Sequence, residues 1–149
     1  MTMRVHIATD HAAYDLKEFL VGALTEAGYE VVDHGAHGRD AEDDYPDFCI
    51  PCAEAVAAEG ALGVVLGGSG NGEQIAANKV PGVRAALAND VELAKLAREH
   101  NDANVISIGG RFTTNEEAWE IVQMFLITPF SEGERHIRRI QKISDYEAR

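Results

Sequence analysis

The sequence predicts an α/β protein: a doubly wound sheet of five parallel strands with helices on both faces. Three observations predict it. Short apolar runs alternate with segments of helical periodicity along the chain. The turns between them are short and either polar or glycine-rich, apart from one acidic loop. No repeat, low-complexity tract or linker interrupts the pattern, so one domain is expected over residues 1–149.

The elements follow in order. "RVHIAT" (4–9) reads as a buried strand, and "YDLKEFLVGALTEAG" (14–28) has helical periodicity that stops at Gly28. "YEVVDH" (29–34) is a second strand, and "GAHGRDAEDDYPD" (35–47) is a loop by composition. Pro46 suits the first position of a helix running to about Glu59. "ALGVVLG" (61–67) is the third strand, and "EQIAANK" begins a helix behind a cluster of glycines. "VRAALA" (83–88) is the fourth strand, followed by a helix over 90–99. "NVISIG" (104–109) is the fifth, with a helix over 114–127 behind it. A last helix over 131–147 is extra to the alternation.

Composition narrows the function. A hydrophobic content of 46% in 149 residues supports a sizeable core. The net charge of −12 argues against nucleic acid, because most of the surface would repel a polyanion. It leaves room for one small phosphate held by a local basic patch. No run approaches the ~20 apolar residues of a membrane helix. The stretch after Met1-Thr2-Met3-Arg4 is too short for the apolar region of a leader, so a cytoplasmic protein is expected. Cys49 and Cys52 stand in "FCIPC"; with no second pair, two small buried residues one helical turn apart explain them better than a redox pair or half a zinc site.

In an open parallel sheet, ligands bind beyond the carboxyl ends of the strands. That directs attention to Asp10-His11, to Gly67 through Glu73, to Asn89-Asp90 and to Gly109-Gly110-Arg111. The segment "GVVLGGSGNGEQ" places five glycines within residues 63–72. Its Gly67-x4-Gly72 spacing is that of a P-loop, but Glu73 and Gln74 replace the expected lysine and hydroxyl residue. Neither G-x-G-x-x-G nor G-x-S-x-G is present. Glycines at a helix start turn backbone amides toward a negative charge. A carboxylate at their rim supplies a base. Amide donors with a carboxylate are the equipment for abstracting a proton next to a carbonyl.

Other positions admit two roles each. Asp10 either caps the next helix or meets a ligand, and His11 beside it either binds phosphate or moves a proton. His100 and Asn101 are either a helix-terminal residue and its cap or part of a site. Arg135 and Arg139 share one helical face with Arg138 beside them, forming either a solvated face paired with Glu132 and Glu134 or a seat for a phosphate dianion. The "HGAH" histidines, His34 and His37, lack a third metal ligand and read as plain loop residues. The acidic run before Pro46 reads as solvated, with a substrate contact as the alternative.

Taken together, "ATDHAAYDLK", "DYPDF", "GGSGNGEQIAANK", "AREHNDANVISIGGR" and "RHIRRI" resemble the type B ribose-5-phosphate isomerases. That wider family includes isomerases of galactose 6-phosphate and allose 6-phosphate. The resemblance runs from Arg4 to the C-terminus. It implies a Rossmann-like three-layer α/β/α fold and aldose–ketose isomerisation of ribose 5-phosphate and ribulose 5-phosphate without metal or organic cofactor. It also implies a homodimer or dimer of dimers whose sites draw on both subunits. Carried over by motif, substrate contacts fall on Asp10, His11, Gly68, Ser69, Gly70, Asn71, Gly72, Asn101, Arg111, Arg135 and Arg139, and the ring-opening acid on His100. Many members carry a cysteine base where this chain has Gly67; another branch carries a glutamate on the loop, which Glu73 matches. The alternatives are a tetrose 4-phosphate or hexose 6-phosphate substrate, or a non-catalytic module binding a nucleotide or sugar phosphate.

Overall fold

A computed structural model describes residues 3–149. Met1 and Thr2, part of the start read as too short for a leader, lie outside the described residues. The chain forms strands β1 (Arg4–Thr9), β2 (Glu30–Asp33), β3 (Leu62–Gly67), β4 (Ala85–Leu87) and β5 (Val105–Gly109). Helices α1 (Tyr14–Glu26), α2 (Pro46–Glu59), α3 (Asn71–Asn78), α4 (Val91–Asn101), α5 (Asn115–Ile127) and α6 (Glu134–Glu147) follow them. Two 3-10 turns, His11–Ala13 and Gly110–Phe112, leave the ends of β1 and β5.

The five strands are parallel in the order β2-β1-β3-β5-β4. Successive strand side chains face opposite sides of a sheet, so each strand feeds two cores. Val5, Ile7, Val64, Leu66, Ile106 and Ile108 face α1, α4 and α5, where they meet Leu20, Ala94 and Phe125. Ala8, Val65 and Val105 face α2 and α3, against Cys49, Cys52, Val56 and Ala77. Both sheet faces are therefore dry, which explains why the strands read as continuous apolar runs rather than alternating ones.

The helix ends carry identifiable stops. Thr114 and Glu117 form a reciprocal capping box at the start of α5. Asp90 accepts from the Leu93 amide at the start of α4. Gly60 closes α2 in the left-handed region, where a glycine carries no side-chain penalty. Several bounds differ from the sequence reading. Helix α3 begins at Asn71, so Glu73 is its third residue, and α6 begins at Glu134 rather than 131. Asn101 is the last residue of α4; the left-handed cap is Asp102. No helix among the described residues is long and apolar enough to cross a membrane.

The chain order sets where a ligand can enter. From β1 the chain runs outward to β2, then returns to the other side of β1 for β3. The carboxyl ends of β1 and β3 thus flank a topological switch point, where helices leave in opposite directions and a crevice opens.

Candidate active site

Asp10-His11 and the Gly67–Glu73 loop meet at that crevice. Asp10 is buried, and its carboxylate accepts from the Ala12 amide at 2.9 Å, capping the first 3-10 turn. Gly70 is left-handed, with φ of 84°, and a Cβ there would press Leu87 Cδ1 at 2.8 Å and Ser107 Oγ at 3.0 Å. Its carbonyl accepts from Ser107 Oγ at 2.7 Å, which fixes the loop to β5. The Ser69 hydroxyl accepts from the Asn71 amide at 3.2 Å. The first amides of α3 have no acceptor within the helix, and that of Asn71 is the one that meets Ser69 Oγ.

Glu73 is 5% exposed. Its carboxylate lies against the Cα of Gly67, in the volume a Cβ on that residue would take. Burial pushes the Glu73 carboxyl above the usual range; its own backbone N–H opposes that, and nearby Asp10 adds to it. The carboxylate is thus desolvated within the first turn of α3. Gly68 lies under the guanidinium of Arg111, whose Cζ would be 3.1 Å from an added Cβ, and the Arg111 amide donates to the Gly68 carbonyl. Gly72 meets the ring and hydroxyl of Tyr45 in the same way.

His100, Asn101, Arg135 and Arg139 lie elsewhere. The end of α4 leads into the amino end of β5, and Asn104 accepts from the Gly63 amide at the foot of β3. With five residues in β5 at ~3.3 Å each, the two edges stand on the order of 15 Å apart. His100 stacks on the buried His136 with ring centroids 4.4 Å apart, and Ser131 donates to the Glu99 carbonyl, which ties the start of α6 to this edge. Burial first, then His100, Arg135 and Arg139, lowers the His136 pKa, so its ring is neutral at pH 7. Arg135 and Arg139 project from the same part of α6.

The candidate residues therefore fall into two groups at opposite ends of the strands. Among the described residues, Arg111, Arg135, Arg138 and Arg139 make no ion pair. In a chain of net charge −12, unpaired arginines at both edges are available to an anion.

The acidic loop holds what sequence reasoning left out. Asp43 turns inward and bonds His11 Nδ1 at 2.6 Å and the His11 amide at 3.2 Å. Tyr45 covers Gly72. Sequence offered only the weak signal of an aromatic before Pro46, since a loop of acids looks solvated until one of them is buried. Of the "HGAH" pair, His34 bonds the buried His6 at 2.9 Å, and His6 in turn bonds Glu59 at 2.9 Å. Cys49 and Cys52 are free and fully buried, and desolvation drives both thiols far above their ordinary value. Asp10, His11 and Asp43 bring one carboxylate or ring-nitrogen atom each within 4.8 Å of one another.

Residues 5–143 match the family model described as Ribose/Galactose Isomerase. The chain is 56% identical to ribose-5-phosphate isomerase B of Mycobacterium tuberculosis over 146 residues, covering 97% of this chain and 90% of that protein. It is 42% identical to a putative sugar phosphate isomerase of Bacillus subtilis over 146 residues, 97% of each chain. Its fold superposes with a TM-score of 0.95 on ribose-5-phosphate isomerase B from Mycoplasma genitalium with bound ribulose-5-phosphate, at 43% identity, covering 99% of this chain and 98% of that one. The Clostridium thermocellum ribose-5-phosphate isomerase B gives a TM-score of 0.94 at 43% identity, covering 98% of both chains.

Proposed function

The chain belongs to the ribose/galactose isomerase family, and from that premise we propose that it interconverts ribose 5-phosphate and ribulose 5-phosphate through a cis-enediolate. It is a sugar-phosphate isomerase by membership; the five-carbon substrate is supported by the names of its relatives and by the ribulose-5-phosphate bound to one of them.

The buried Glu73 carboxylate carries the mechanism. It removes the C2 proton of the open-chain aldose and returns it to C1, while the hydroxyl proton passes from O2 to O1. The backbone amides of the Gly70–Gly72 stretch and the Ser69 hydroxyl, which itself accepts from the Asn71 amide, are the donors for the charge that develops on the enediolate oxygens. Asn71 and Gly68 complete the loop that shapes this pocket. Asp10 holds a substrate hydroxyl, and a positioned base contributes on the order of 10²–10⁴-fold in rate.

His100 transfers the proton that opens the furanose ring, Asn101 orients a hydroxyl, and Arg135 and Arg139 bind the phosphate, joined by His11 and Arg111. Because His100, Asn101, Arg135 and Arg139 stand on the opposite edge from Glu73, the complete site takes them from a second copy of the chain. A homodimer, alone or paired into a dimer of dimers, supplies two such sites by symmetry. Proton transfer by side chains requires no metal or organic cofactor.

Turnover of four-, five- and six-carbon aldose phosphates by purified protein, with and without chelator, tests this reading. Preference for ribose 5-phosphate that survives chelation is expected. Preference for another chain length replaces the substrate, and absence of turnover removes the isomerase reading.

A further inference from the structure

The acidic loop between β2 and α2 sends one buried carboxylate into the active-site crevice. The Asp43 side chain is 9% exposed, and a single oxygen, Oδ1, accepts from both Nδ1 and the backbone amide of His11. Its other oxygen, Oδ2, is buried with no partner. A buried carboxylate half-satisfied in this way is costly unless a positive charge stands against it. His11 is the only group bonded to it among the described residues.

The ring of His11 is then constrained in two ways. With Nδ1 tied to Asp43, the nitrogen left to a ligand is Nε2, on the far side of the ring. The turn carrying His11 is packed on the turn carrying Arg111, with Gly110 meeting Ala13. Two potential cations therefore stand side by side at the end of the crevice. The charged groups around the His11 ring are Asp43, Asp10 and Asp40 from the β1 end and the acidic loop, and Arg111 lies on the neighbouring turn.

We infer that Asp43 is a positioning residue for the isomerase reaction: its bond to Nδ1 fixes the His11 ring so that Nε2 is presented to the phosphate of the sugar. This rests on the sugar-phosphate isomerase reading above. The approach of a dianion past Asp10, Asp40 and Asp43 requires a neutralising charge among them, and His11 is the group placed to supply it. The hydrogen bond to Asp43 raises the His11 pKa, with Asp10 and Asp40 acting in the same direction against partial burial. Protonation is retained until pH rises through that elevated value, so phosphate binding weakens on the alkaline side.

The test combines NMR titration of the His11 ring with steady-state kinetics of D43N. Wild-type His11 is expected to titrate above the ordinary value of ~6.5, with Nδ1 protonated throughout. In D43N the titration falls toward ~6.5. Between the D43N and wild-type titration midpoints the KM for ribose 5-phosphate rises ~10-fold, the scale of one charge-assisted hydrogen bond, and kcat changes less. At pH 6, where His11 is protonated in either protein, the two KM values converge. D43N/H11Q binds no more weakly than H11Q alone, because both act through one contact.

A wild-type His11 that titrates at or below the ordinary value overturns the inference, and this needs no variant to fold. A KM ratio that is the same below both titration midpoints as between them also overturns it. If the wild type turns over no sugar phosphate, the isomerase reading fails separately, and inorganic phosphate becomes the probe. Phosphate that shifts the His11 resonances in wild type and not in D43N supports the Asp43 role; phosphate that leaves wild-type His11 unmoved overturns it.

Discussion

The carboxylate of Glu73 occupies the space into which a side chain on Gly67 would grow. The two positions are therefore one design: the glycine ends β3 without a Cβ so that a glutamate three residues into α3 can fold back over it. Even the smallest addition at Gly67 must displace the base. Gly67→Ala is expected to lower kcat by ~10²-fold or more while KM changes little, since the lost group is the proton acceptor. Normal turnover in that variant would remove Glu73 from its role.

Glu73→Gln separates chemistry from stability. The raised pKa of Glu73 comes first from burial, so its charged form burdens the fold. Stability linked to this group is fully present below the unfolded value of ~4.3 and lost as pH rises through the higher folded value. The amide variant escapes that loss. Its Tm is expected to exceed wild type at pH 7 and to converge with it near pH 4, while kcat falls ~10²–10⁴-fold. Wild-type kcat/KM should show its acidic limb above the ordinary glutamate value.

The arginines of α6 should act on binding. Arg139→Ala is expected to raise KM ~10-fold or more with a smaller change in kcat, as for loss of one charged hydrogen-bonded contact. Arg139→Lys should recover only part of this, because an ammonium lacks the planar fork. Rising ionic strength should narrow the gap between variant and wild type. Unchanged affinity in Arg139→Ala would exclude phosphate contact at this position.

Cys49 and Cys52 should be silent in both assays. Their thiols are buried in the α2–sheet core and held far above the pH at which a thiolate forms. Native protein is expected to resist thiol reagents and to keep full activity after exposure to them. Rapid modification with loss of turnover would show that one of these cysteines is open to solvent.

The strands and their parallel arrangement were legible in the sequence, because buried strands leave continuous apolar runs bounded by turn residues. Ends of helices were read less well where capping depends on backbone conformation, as at Asp102, which adopts φ of 45° although it is not glycine. The glycine loop was legible from its spacing as the turn between β3 and α3. What spacing does not carry is height along the sheet. His100 and Glu73 lie in neighbouring units of the chain, yet α4 runs back to the amino edge before His100 is reached. Asp43 was hidden for a different reason: a carboxylate among carboxylates gives no sign of which one is buried.

On the function proposed above, proton transfer by Glu73 and ring opening by His100 occur in one site built from two chains. Coexpression of E73Q and H100N chains tests it directly. Each variant alone is expected to be nearly inactive. In random mixed dimers one site regains both wild-type residues, so the mixture should recover about a quarter of wild-type activity. A mixture no more active than the separate variants would contradict the shared site.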